Sequence, residues 1–528
     1  GDGNVAIGYQ ALDAEDAHGL NTAIGYQALS AQDAGFDAKN TAVGYQAGGA
    51  VTEGDRNTLV GTTAGSSLTH ADFNVALGEA ALAADTLGSR STAVGRAALN
   101  AQNFTTATDT YNTAVGNNAG LSVTTGIQNT LIGGLAGDAL TDADYNVAVG
   151  KVALTSDTLG SRSTALGYAA LFTQNFTTAT NSYNTAVGYS AGLSVTTGTE
   201  NTLIGGLAGD ALTTGASNTA VGYRSLSASN TAGGNTAIGG NAMLSDTKGA
   251  RNVAVGYGTL FSQNFTTATN SYNVAVGYDA GTAITTGFQN TAVGATALDA
   301  NTTANYCTAV GYGSLGANTT GTENSAVGRN SLTTNTIGGK IVAFGSGTLA
   351  SNTEGSNNTG LGWAALFDNT TGVSNTAVGS SALENNTTAD SNVAVGISTL
   401  FTNTTGHSNI AIGRSALYDN TSGSENVAVG MSALGNNTTQ SGNTAVGHEA
   451  LLTNTTASQL TAVGFEAGKT ASAGGGSSTF IGYQAGTLTT GSTNTAVGAL
   501  ALTANSTAAG GTAVGYQAGL SNTTGAAI

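Results

Sequence analysis

Gly188-Tyr189-Ser190-Ala191-Gly192 has the G-x-S-x-G spacing that sets a nucleophilic serine on a tight turn. Such a serine needs a histidine base within hydrogen-bond reach. The nearest in sequence, His70, lies about seven repeats away. His18, His70, His407 and His448 are scattered, with no metal-ligand spacing. Gly205-Gly206-Leu207-Ala208-Gly209 offers glycines but no following helix to receive a phosphate. Asp13, Glu15 and Asp16 do not meet the spacing of a calcium loop and read as solvated corners. Cys307, the only cysteine, excludes an intrachain disulfide framework. It reads as a tolerated corner residue rather than a reactive thiol. No catalytic, cofactor or metal site is expected, and an enzyme reading has no support.

Each of these fragments belongs to a repeat. Between Gly294 and Gly464 one pattern returns every 17 residues, as in Asn375-Thr376-Ala377-Val378-Gly379 and Asn392-Val393-Ala394-Val395-Gly396. Counting each repeat from its glycine as position zero gives thirty glycines from Gly8 to Gly515. The spacing is 21 at three places, after Gly95, Gly167 and Gly256. A fixed period of this size marks a stacked repeat array. We expect one β-solenoid over 1–528: irregular coils over 1–293, regular coils over 294–464 and loosened coils over 465–528, around Gly474-Gly475-Gly476.

Gly, Asn, Thr and Val are mediocre helix formers and suit short strands joined by corners. The strand is T-A-V-G, and its side chains alternate across it. Position −1 is nearly always Val, Ile or Leu, so −3 and −1 are expected inside the coil, with Ala −2 and Gly zero facing out. Asn fills position −4 in 23 repeats, and position +7 in the ten coils from Asn301 to Asn454. Stacked Asn side chains can bond up and down a solenoid. Where +4 is Leu or Met243, +7 is polar; where +4 is Gly, +7 is usually aliphatic, as in Gly48 with Val51. The exclusion suggests one interior slot, with polar +7 residues turned outward. Position +1 varies freely and carries eleven of the 17 tyrosines, as a solvent-facing site would. Such an aromatic stripe could bind glycans, but more often covers a strand edge.

Average usage would give about 26 prolines at roughly 5%, and there are none. A chain whose every coil donates N–H groups to the next has no place for them. A net charge of −17 argues against nucleic acid, and no apolar run is long enough to span a membrane.

An Ala/Gly strip left in water would be an unusual apolar patch, and self-association about a rotation axis would cover it. Ala377, Gly379, Ala394 and Gly396 are the expected contacts. The text N-T-A-V-G-Y-Q-A-L resembles the head repeats of trimeric autotransporter adhesins, the YadA-like head, and similar repeats of phage and virus tail fibres. The resemblance covers essentially the whole chain. It implies a left-handed parallel β-roll, a homotrimer and an extracellular adhesive fibre on a cell or virion, with a host-cell or matrix receptor, a glycan being one candidate. A coil this long and a second N-T-T corner depart from that family. An ice- or surface-binding solenoid is the alternative, through the aligned threonines at +8, Thr302 to Thr455.

The three long coils insert the same text around Phe104, Phe176 and Phe265, each followed by a tyrosine: Tyr111, Tyr183 and Tyr272. These six residues are the candidate surface-contact loops; the other reading is that each phenylalanine folds down to cover an exposed strand edge. Deleting the inserts would restore the 17-residue spacing and is expected to leave melting nearly unchanged. The hexapeptides Asp85–Arg90 and Asp157–Arg162 are expected to hold a surface ion pair across a corner.

Overall fold

A computed structural model describes residues 3–16, 18–471 and 476–523, so Gly474 and Gly475 lie outside the described residues. The described chain is all-β, a parallel β-solenoid with a turn of about 17 residues. It forms two compact units, Gly1–Ser271 and Tyr272–Ile528, each with fifteen T-A-V strands. Within a unit each such strand pairs in parallel, in register, with the equivalent strand one coil on. In the second unit Ala377 lies opposite Ala394 and Val378 opposite Val395. In the first, Thr219–Val221 pairs with Thr236–Ile238 in the same way.

The expected facing of the strand is reversed. Ala377 and Ala394 are 0% exposed, whereas Val378 is 36% exposed and Thr376 and Val395 are half-buried. The middle residue is buried in every T-A-V strand except Val5–Ile7. A thin coil has room inside for a methyl group and not for two rows of Val, so the small residue turns in. Ala377 and Ala394 therefore face no other chain.

Gly379 and Gly396 do mark a close approach of backbone, but it is the chain's own. A Cβ on Gly379 would overlap the carbonyl oxygen of Gly396, the same position one coil on. Its φ of +136° also lies where side chains are rarely found. Positions +2 and +4 are left-handed as well, with φ of +56° at Ser381 and +53° at Leu383.

Polar residues at +7 turn inward, against expectation. Asn386 is buried; its amide donates to Asn369 Oδ1 at 2.8 Å and to the Ala389 carbonyl at 3.1 Å. The rungs repeat from Asn335 to Asn437, so each amide finds partners inside the coil. A second ladder runs through −4. The Asn392 N–H donates to Asn375 Oδ1 at 3.0 Å, and the Asn392 side chain donates to the Gly406 carbonyl at 2.9 Å.

The interior slot takes in a third position. At −2, Leu59, Leu131, Leu203 and Phe480 replace alanine and are fully buried. Each is bracketed by glycine at +4 in its own coil and in the coil before. A Cβ on Gly48 would stand 2.7 Å from Leu59 Cδ1, and one on Gly65 would stand 2.8 Å from Leu59 Cδ2. Gly120 and Gly137 bracket Leu131, Gly192 and Gly209 bracket Leu203, and Gly468 and Gly486 bracket Phe480. The aliphatic +7 residue reaches the same space: Val51 Cγ2 would lie 3.4 Å from a Gly48 Cβ.

Candidate surface-contact site

The inserts are built around a buried carboxylate. In the first, Asp85 occupies +7 and is fully buried. Its Oδ1 accepts from the N–H groups of Gly88 and Phe104, each at 3.1 Å, and its Oδ2 accepts from Gln102 Nε2 at 2.5 Å. Gln102 Nε2 also donates to Ser91 Oγ, and its Oε1 accepts from Asn112. Asp157 with Gln174 and Phe176 repeats the arrangement. Asp246 with Gln263 is a third copy, and there burial pushes the carboxyl above its ordinary value against the hydrogen bonds of Gln263, Gly249 and Phe265. The end of each insert adds a short strand: Thr108–Asp109 pairs with Gly88–Ser89, and Thr180–Asn181 with Gly160–Ser161.

The phenylalanines are therefore pinned, not displayed. Phe104 is 6% exposed, and Phe176 and Phe265 are equally buried. They leave the surface-contact set, because the carboxylate draws the backbone at Phe104 inward and the ring covers Gly88, within 2.9 Å of where a Cβ there would lie. The three tyrosines that follow them, Tyr111, Tyr183 and Tyr272, are exposed. Arg90 lies between two rings, 4.9 Å from the Phe73 centroid and 5.8 Å from that of Tyr111, and pairs with Asp109 at 2.9 Å. Its ion pair thus reaches the next coil instead of closing its own hexapeptide. Arg162 sits likewise over Tyr145 and Tyr183 and donates to Asn181.

Position +1 is a solvent-facing row, and where aromatic residues succeed one another they stack. Tyr9, Tyr26 and Tyr45 form a ladder with centroids 5.2 Å apart, flanked by Gln10, Gln27 and Gln46 bonded amide to amide. From Thr302 to Thr421 the +8 hydroxyls are spent within the solenoid, each donating to the equivalent carbonyl one coil on, as Thr370 Oγ1 does to the Thr387 carbonyl at 3.0 Å. Cys307, in the −4 ladder, is buried, and burial pushes its thiol up to about 11. Its Sγ reaches the Gly321 carbonyl at 3.3 Å, where asparagine elsewhere places its amide.

No family model matches the chain, and a search of curated proteins gives no match. Two features escaped the sequence reading. The exposed −3/−1 row was hidden by the assumption that Val turns in. The Asp–Gln pair had a signal, since Asp at +7 precedes Gln at +7 at all three inserts and the third copy reads Asp246-Thr247-Lys248-Gly249-Ala250-Arg251.

Proposed function

We propose that the chain is a structural fibre protein that assembles as a homotrimer outside the cell and mediates attachment to a surface. The observation that carries this is the uncovered −3/−1 row. In the second unit Val342, Phe344, Leu361, Ile410 and Ile412 are all exposed, Phe344 at 52%. An apolar row of this extent calls for a cover. A second and third copy supply one, because every chain carries the same row at the same spacing. The contact passes through Thr376, Val378, Val393 and Val395, the side of the strand opposite Ala377 and Ala394. A fibre of this kind needs no strong individual site, since repeated weak contacts gain strength from multivalency.

Sedimentation equilibrium tests the assembly. The parent should sediment as a trimer, and Val378→Lys with Val395→Lys should release folded monomers, because both side chains are already accessible in one chain. A parent that stays monomeric removes the trimer. Adhesion of labelled parent and monomeric variant to the same cell surface tests attachment; equal retention would remove the role of multivalency.

A further inference from the structure

The chain has one tryptophan, Trp363, at +1 and 61% exposed. It lines a cavity of about 490 Å³ in the second unit, together with Arg329, Asn330, Ser346, Gly347 and Phe367. The volume falls within the roughly 300–1,000 Å³ of small-ligand sites.

The cavity exists because a rung is missing. Arg329, Ser346 and Trp363 occupy +1 in three successive coils. Where +1 is aromatic in neighbouring coils the rings stack at 5.2 Å and close the row. Ser346 and Gly347 leave that space empty, so Arg329 and Trp363 stand two coil spacings apart, about 10 Å. A single six-membered ring fits where the absent aromatic would lie.

The lining says which ring. The Arg329 guanidinium has no carboxylate partner among the described residues, although the chain carries a net charge of −17. The side chains of Asn330 and Ser346 make no hydrogen bond to another described residue, and both are half-buried at the cavity wall. Indole and phenyl faces suit the C–H face of a pyranose, and an amide and a hydroxyl suit its hydroxyls. A guanidinium adds a forked donor pair for a carboxylate.

We propose that this cavity binds an acidic sugar, a pyranose bearing a carboxylate. It takes the place of the missing +1 ring, with its carboxylate on Arg329 and its apolar face on Trp363. One chain contains the whole site, so the inference stands whether or not the chain is trimeric.

The lone tryptophan reports on the site. Sialyllactose and a hexuronate disaccharide are titrated into the intact chain, with lactose as the neutral control, and fluorescence is excited where tyrosine does not absorb. The acidic sugars should give saturable changes at concentrations at least about tenfold below lactose. Arg329→Gln should bring them to the lactose level. Ser346→Tyr restores the residue type that most aromatic +1 positions carry, and should abolish the response while leaving the melting temperature unchanged. Equal response to lactose and the acidic sugars in the parent would overturn the role of Arg329. No response to any sugar, or an acidic peptide binding more tightly than the sugars, would overturn the proposal. So would an undiminished response in Ser346→Tyr with calorimetrically detected binding.

Discussion

At Cys307 a thiol stands in a ladder that asparagine builds in 23 of the thirty coils. The Cys307 N–H still donates to Asn290 Oδ1 at 3.0 Å, but the thiol offers the next rung no amide oxygen. Cys307→Asn should raise stability by about 0.5–1.5 kcal/mol, the net value of a buried hydrogen bond. Urea unfolding at unchanged slope would show it as a higher midpoint. With the thiol raised to about 11, native-state labelling should be no faster than unfolding. Asp246 makes a different prediction. Its carboxyl is held above the ordinary 3.8 by burial, so the folded chain keeps that proton at pH values where the unfolded chain has lost it. The contribution of Asp246 to stability therefore falls as pH rises through 3.8 towards the folded value. Asp246→Asn keeps an acceptor for the Gly249 and Phe265 N–H groups, with the Gln263 amide reversed. Its melting temperature, measured against that of the parent, should improve as pH rises; a difference constant with pH would refute the linkage.

At the scale of the coil, Leu383 fills the interior at a left-handed φ. Leu383→Gly loses roughly 2–5 kcal/mol of packing but relieves about 1–2 kcal/mol of backbone strain, leaving a net loss of roughly 0–4 kcal/mol. Adding Asn386→Val should not restore it, because Asn386 is a buried rung whose removal strands Asn369 Oδ1. A double variant melting above the single one would show that packing at +7 outweighs the ladder. Deleting Phe104–Ala107 should now cost about 3–5 kcal/mol, the scale of losing a buried phenylalanine, in contrast to the neutrality that spacing alone suggests. Differential scanning calorimetry would decide between the two. The period, the strand and the recurrence of Asn at −4 and +7 were legible in the sequence, because each is a residue type recurring at a fixed offset, but the inward turn of the +7 residues was not. Nor was the direction of the strand. Alternation gives two faces without saying which is inside, and the answer depends on how narrow the coil is. The inserts left two readings open for a related reason: Phe104 stands among hydroxyls in sequence, and only the fold brings Asp85 beneath it.

At the scale of the whole molecule, each unit repeats one set of contacts between neighbouring coils, so stability is close to a sum over neighbours. Excising 376–392, one full period, brings Asn369 and Asn403 to adjacent rungs and rejoins Asn375 to Val393. The excised chain should melt close to the parent by circular dichroism, whereas removing one residue fewer should unfold its coil and lower the transition. The near copies at 74–145 and 146–217 are what such tolerance permits. The bracketed leucines set a limit on it. Leu59 lies between Gly48 and Gly65, and a crossover that replaced either glycine with the usual leucine would put two large side chains in one place. Lineages can therefore gain or lose most coils singly, but the coil pairs around Leu59, Leu131, Leu203 and Phe480 must be inherited together, so recombination breakpoints between them should be depleted.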